Sequence, residues 1–166
     1  MVARQSKYQG EESPFIANKI YGGHSPYGVE YFSATERLKY KMRFGSDGRV
    51  YDYRGKPIDT SNAILITREG KKIKTGRAIF VIDTEGNTYW SNLSETGQLH
   101  HTSFVSGAPV AFAGEIVIKN GYIKYFDNTS GHYLTPAKSA KEVLSYFKKL
   151  LGRGANLIRF RPSILN

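Results

Sequence analysis

Leu38, Tyr40, Met42 and Phe44 alternate with Lys39, Lys41 and Arg43. A period of two predicts a half-buried strand with a basic outer face. Ser33 with Glu36 competes at its start, because that spacing can cap a helix. The alternation is the longer signal and favours strand. Gly45 to Gly48 then reads as a turn, and Arg49 to Tyr53 as the return strand of a hairpin. Ala63 to Thr67 is apolar and β-branched and fits either a strand or a helical turn. Glu69 to Gly76 reads as a basic loop. Ala78 to Asp83 (AIFVID) is a continuous apolar run, as in a central strand. Thr88 to Trp90 is the strand after a turn, and Ser91 to Gln98 a polar loop. Leu99 to Val105 is expected as a strand and Val110 to Ala113 as a second apolar piece. Asn120-Gly121 lies between Glu115–Lys119 and Tyr122–Phe126, a strong hairpin signal. Pro136 to Leu151 predicts a helix. Pro136 suits its first turn, Ser139 with Glu142 offers a capping box, and Gly152 ends it. Val143, Phe147, Leu150 and Leu151 share one face of it. Asn156 to Phe160 is expected as a last short strand. The pattern as a whole predicts an α+β fold: an antiparallel-rich mixed sheet with one C-terminal helix, 136–151, packed on it.

Length adds that 166 residues suit one domain. Residues 1–20 are polar and read as a flexible lead-in, with 21–166 as the single domain and a monomer expected. Cysteine is absent, which excludes disulfides and cysteine metal sites. No apolar run approaches the 18 or so residues of a membrane span, so no membrane partner is expected. The first residues lack the apolar core of a secretory signal. The net charge is +10. It points to a polyanionic partner (nucleic acid, an acidic protein or an anionic cofactor) or to a solvated basic surface.

Candidate chemistry gathers in His100 to Tyr133. Three of the four histidines lie there (His100, His101 and His132), with Glu115 after an apolar run and Gly114. Polar groups embedded in sheet need hydrogen-bond partners or a function. On a strand, adjacent His100 and His101 point to opposite faces and make a poor metal pair. Metal is therefore not expected. His101 and His132 could instead act as base and acid in metal-free RNA cleavage, with the basic hairpin face and tyrosines binding the chain. A third reading uses Glu115 as a carboxylate steadying an oxocarbenium-like centre, Ser103 orienting it, and Arg77, His101 or Tyr133 gripping NAD. Against all of these stands the reading of each residue as an ordinary structural group.

The stretches RAIFVIDTEGNTYWS and LHHTSFVSGAPVAFAGEIVIKNGYIKYFDNTSGHYLTP carry a resemblance. They resemble the C-terminal effector domains of bacterial polymorphic toxins, of the Rhs and insecticidal-complex type. They are also similar to part of the plant calmodulin-binding proteins that carry an IQ motif, which have comparable HSSF and SGHYLP blocks. Thr102 replaces the first serine of HSSF, Thr135 separates Leu134 from Pro136, and the IQ helix is absent. The toxin resemblance implies a secreted effector injected into a target cell and acting in its cytoplasm on a protein or RNA. It also implies an acidic immunity protein where bacteria are the target. The resulting expectation is an NAD-dependent ADP-ribosyltransferase using Glu115, Ser103, His101 and His132, with Arg77 and Tyr133 on NAD. A ribonuclease toxin using His101 and His132 is the alternative, and a non-enzymatic binding module the second alternative.

Overall fold

A computed structural model describes residues 1–163. In chain order its helices are α1 (Pro14–Tyr21), α2 (Ala34–Arg37), α3 (His101–Val105) and α4 (Ala140–Leu151). Its strands are β1 (Arg43–Phe44), β2 (Val50–Tyr51), β3 (Ile64–Ile66), β4 (Lys72–Lys74), β5 (Ala78–Asp83), β6 (Thr88–Ser91), β7 (Leu93–Glu95), β8 (Val110–Lys119), β9 (Tyr122–Phe126) and β10 (Arg159–Phe160). The main sheet runs β10-β9-β8-β5-β6, with β10 parallel to β9 and the other pairs antiparallel. A three-stranded sheet, β4-β3-β7, and the β1–β2 ribbon stand beside it. This is the α+β arrangement with an antiparallel-rich sheet and a C-terminal helix against it.

AIFVID forms the central strand because both faces of the sheet are covered. Ala78, Phe80 and Ile82 join Phe112, Ile116, Ile118 and Phe126 under Val143, Phe147 and Leu151 of α4. Ile79 and Val81 face the other way, into a second cluster with Phe32, Tyr89, Phe104, Ala113 and Tyr133. Side chains such as Phe80, Phe104 and Phe147 are fully buried, each contributing about 1.5–3 kcal/mol of transfer free energy. Asn120 and Gly121 adopt φ of 48° and 84°, the left-handed pair a two-residue hairpin turn requires.

Four local expectations differ from the structure. Ser33 and Glu36 do form the capping box: Ser33 Oγ accepts from the Glu36 N–H and Glu36 Oε1 from the Ser33 N–H. Residues 38–40 then continue as a 3₁₀ turn, so the strand is confined to Arg43–Phe44. Leu38 is 57% exposed, whereas Met42 is buried, so the apolar positions of the alternation do not share one inner face. Leu99 to Val105 is not a strand, because 101–105 is helical and ends on Ser106 in the left-handed region. Five residues are too few for periodicity to separate helix from strand. The helix begins as a 3₁₀ turn at Ala137–Ser139, and the Ser139 side chain makes no cap bond. The basic loop 69–76 and the polar loop 91–98 contain β4 and β7.

The first 20 residues do not stand apart as a flexible lead-in. Val2 pairs with Val110, the Gln5 N–H donates to the His132 carbonyl, and Glu11 is fully buried.

Candidate functional site

Helix α3 lies on the face of the main sheet opposite α4, and this decides what its polar residues do. The His100 N–H donates to Ser103 Oγ at 3.0 Å, so Ser103 serves the helix start. His101 Nε2 lies 2.7 Å from the Gly114 carbonyl, binding α3 to β8. Burial pushes the His101 imidazole down to about 4, against the pull of that carbonyl bond. His100 accepts the Gly97 N–H at 2.8 Å, and burial with His132 alongside pushes it down to about 3. Tyr133 is fully buried and donates its hydroxyl to the Ala108 carbonyl at 2.7 Å.

His132 meets a residue that pattern reading passed over. Its Nε2 lies 2.7 Å from Glu11 Oε2 and 2.7 Å from the Tyr21 hydroxyl oxygen. Glu11 also accepts from Tyr31 at 2.9 Å, Thr102 at 2.5 Å and Tyr21 at 3.0 Å. Burial alone would push this carboxyl up. The bonds from His132, Thr102 and Tyr31 outweigh it and hold the group at about 2. Tyr8 stacks on His132 and Tyr21 on His100, with centroids 4.0 and 5.0 Å apart. The cluster is a buried, mutually satisfied network.

Glu115 has a different setting. Its pairing with Ile79 places it on the α3 face of the sheet. Arg77 Nε donates to Glu115 Oε1 at 3.2 Å, with the Arg77 side chain 44% exposed and that of Glu115 19%. The Glu115 N–H donates to Asp127 Oδ1 at 3.0 Å, and the Thr129 N–H to the same oxygen at 2.8 Å. Burial, with the Asp127 charge beside it and Arg77 opposing, pushes the Glu115 carboxyl up to about 7. Arg77, Glu115, Tyr125, Asp127, Thr129 and Arg161 line an open cleft of about 410 Å³. Across it the Arg161 guanidinium lies 3.7 Å from the Tyr125 ring centre.

The expected common pocket is therefore divided. Glu115 and Arg77 line the cleft, whereas Ser103, His101, His132 and Tyr133 are engaged in bonds that hold the fold. Among the described residues, no three His, Cys, Asp or Glu side chains are grouped to hold a metal ion. No described helix is long and apolar enough to cross a membrane. Glu11, Tyr125, Asp127 and Arg161 were missed. Nothing local marks Glu11 within a polar stretch, and the Arg161–Tyr125 stack depends on β10 lying beside β9.

Together these features define an α+β domain with an open, charged cleft at one end of its main sheet. The family model of the IQ motif-containing protein middle domain matches residues 36–140. The chain belongs to that family. Among curated proteins it is similar to the IQ domain-containing proteins IQM1, IQM5 and IQM3 of Arabidopsis thaliana. Identities are 30%, 29% and 28% over 121 residues, 73% of this chain. The same alignments cover 22%, 22% and 24% of those proteins, so the chain spans less than a quarter of their length. No solved structure matches it.

These matches overturn the assignment to bacterial polymorphic toxins. The ADP-ribosyltransferase reading and its ribonuclease alternative fall with it, as do the secreted and injected location, the target in a recipient cell and the immunity protein. NAD entered the expectations only as the substrate of that transferase.

Proposed function

We propose that this domain is a non-enzymatic binding module and that the cleft around Arg77, Tyr125 and Arg161 receives its partner. One observation supports the reading above all. Four of the six side chains expected to do chemistry hold structural bonds, and the two that reach the cleft are already paired to each other. What the cleft offers is recognition: forked guanidinium donors and a tyrosine ring. The +10 net charge supports a negatively charged partner. The relatives are named for an IQ domain, but the shared region is the middle domain and this chain contains no Ile-Gln pair. The partner is accordingly read from the cleft.

The test compares the immobilised domain with an Arg77→Ala/Arg161→Ala variant in a cell extract. A saturable partner should be retained by the first, reduced at least tenfold by the second, and chemically unaltered by mass spectrometry. Equal retention by both, or a covalent change in the captured molecule, would overturn the reading.

A further inference from the structure

The two edge tyrosines of β9 are three positions apart, and in a regular strand they would point to opposite faces. They do not here. Val117 pairs with Tyr125 and the next residue, Ile118, with Ile123, which leaves Lys124 as an extra, bulged residue. Lys119 pairs with Tyr122, so Tyr122 and Tyr125 share the face of Lys119 and Val117. That face is turned away from α4, because Ile116, Ile118 and Phe126 occupy the other. Two β8 residues separate the paired levels, a distance of about 6.8 Å.

Cations alternate with these rings. Arg49 donates to the Asn120 carbonyl at 2.9 Å and to its side-chain oxygen at 2.8 Å. Held there, its guanidinium lies 5.3 Å from the Tyr122 ring and 5.7 Å from that of Tyr51. Lys124 Nζ is 5.9 Å from Tyr122, and Arg161 covers Tyr125. Arg159 pairs with Tyr125 from β10. The nearby acids are engaged: Glu115 with Arg77, Asp127 with two backbone N–H groups, Asp59 with the Asn120 N–H. No carboxylate of the described residues lies within 4.0 Å of a charged nitrogen of Arg49, Lys124, Arg159 or Arg161. Tyr122 remains 42% exposed.

We propose that this face of β8, β9 and β10 is a platform for single-stranded nucleic acid. The strand would stack one base on the Tyr122 ring and another on the Arg161 guanidinium that caps Tyr125, and lay its phosphates along Arg49 and Lys124. The inference rests on the binding-module reading and names its partner class. Charge complementarity alone would suit an acidic polypeptide equally. An exposed Tyr122 ring and a half-buried Tyr125 ring capped by the Arg161 guanidinium plane, fixed on one sheet face, favour bases, which stack on rings and guanidinium planes alike. The level spacing is about twice the 3.4 Å rise of stacked duplex bases, so the fit is to an extended, unstacked strand.

The test measures fluorescence anisotropy of a labelled, mixed-sequence 12-nucleotide single strand with the whole chain, at two salt concentrations. Saturable binding should weaken with salt. Tyr122→Ala/Tyr125→Ala should lose at least about 30-fold in affinity at an unchanged salt slope. Tyr122→Phe/Tyr125→Phe should retain binding, since the ring is kept. Lys72→Ala/Lys74→Ala, on the small sheet, should cost only a few-fold. Absence of saturable binding overturns the inference, as does an equal loss in the lysine variant, which would mean adhesion by charge alone. A labelled Asp/Glu peptide that binds more tightly than the strand, and loses binding in Arg77→Ala/Arg161→Ala, would overturn the nucleic-acid assignment while leaving the binding module standing.

Discussion

His132 and Glu11 stand 121 residues apart in the chain, and their nitrogen and oxygen meet at 2.7 Å. The contact ties the N-terminal segment to the loop that follows β9. Removing a carboxylate from such a network strands buried hydroxyls and an imidazole without an acceptor. Glu11→Ala is expected to cost about 3–5 kcal/mol of stability, read from urea unfolding midpoints. A cost below about 1 kcal/mol would show that the network is not what holds this segment down.

Stability should fall in mild acid. His100 and His101 lie at about 3 and 4 in the fold, against an ordinary value of 6.5. The unfolded chain therefore takes up protons first. The stability they contribute is complete above about pH 6.5 and is lost as pH falls through the folded values. Glu11, at about 2 against 4.5, adds a further loss below pH 4.5. Melting temperatures between pH 7 and 4 should show the decline, with a shallower slope in His101→Gln. A slope unchanged in that variant would count against the assignment.

Glu115 works in the opposite sense. Its folded value of about 7 lies above the ordinary 4.5, so the ionised form is disfavoured in the fold. Its contribution is complete below pH 4.5 and is lost as pH rises through 7. Glu115→Gln should therefore gain stability relative to the parent at pH 8 and not at pH 4.5, by differential scanning calorimetry. A gain of equal size at both would refute the raised value.

Gly114 is required for space rather than for an unusual φ. An added Cβ would overlap the Asp127 carbonyl oxygen across the β8–β9 pair. Gly114→Ala is expected to cost about 2–3 kcal/mol and to weaken the cleft, since Asp127 and Glu115 flank the contact. Chemical unfolding of the variant measures the first effect. Retention of partner by the folded fraction measures the second.

Ser103, His101, His132 and Glu115 are residue types that catalyse, and they sit close together in sequence. In the fold three of them bond to the backbone or to Glu11, and only Glu115 with Arg77 reaches an opening. A list of residue types carries no information about which hydrogen bonds have already been taken. Only the family match and the geometry separate a reactive group from a satisfied one.

What the chain determined locally is the set of elements whose signal fits within a few residues. AIFVID is a strand because five apolar residues in succession, Ala78 to Ile82, need cover on both sides. Asn120-Gly121 is a turn because both residues tolerate positive φ, and Ala140 to Leu151 is helical because its apolar residues recur on one face. Tertiary structure decided the rest. Within Leu99 to Val105 the helix His101–Val105 is tied to β8 by His101 at the Gly114 carbonyl, a contact no local pattern announces. The role of Glu11 depends on its four partners, Tyr21, Tyr31, Thr102 and His132, being brought together from separate parts of the chain. The shared face of Tyr122 and Tyr125 depends on one bulged residue in the pairing with β8. Each is a matter of which distant groups meet, and that is set by the packing of the whole sheet.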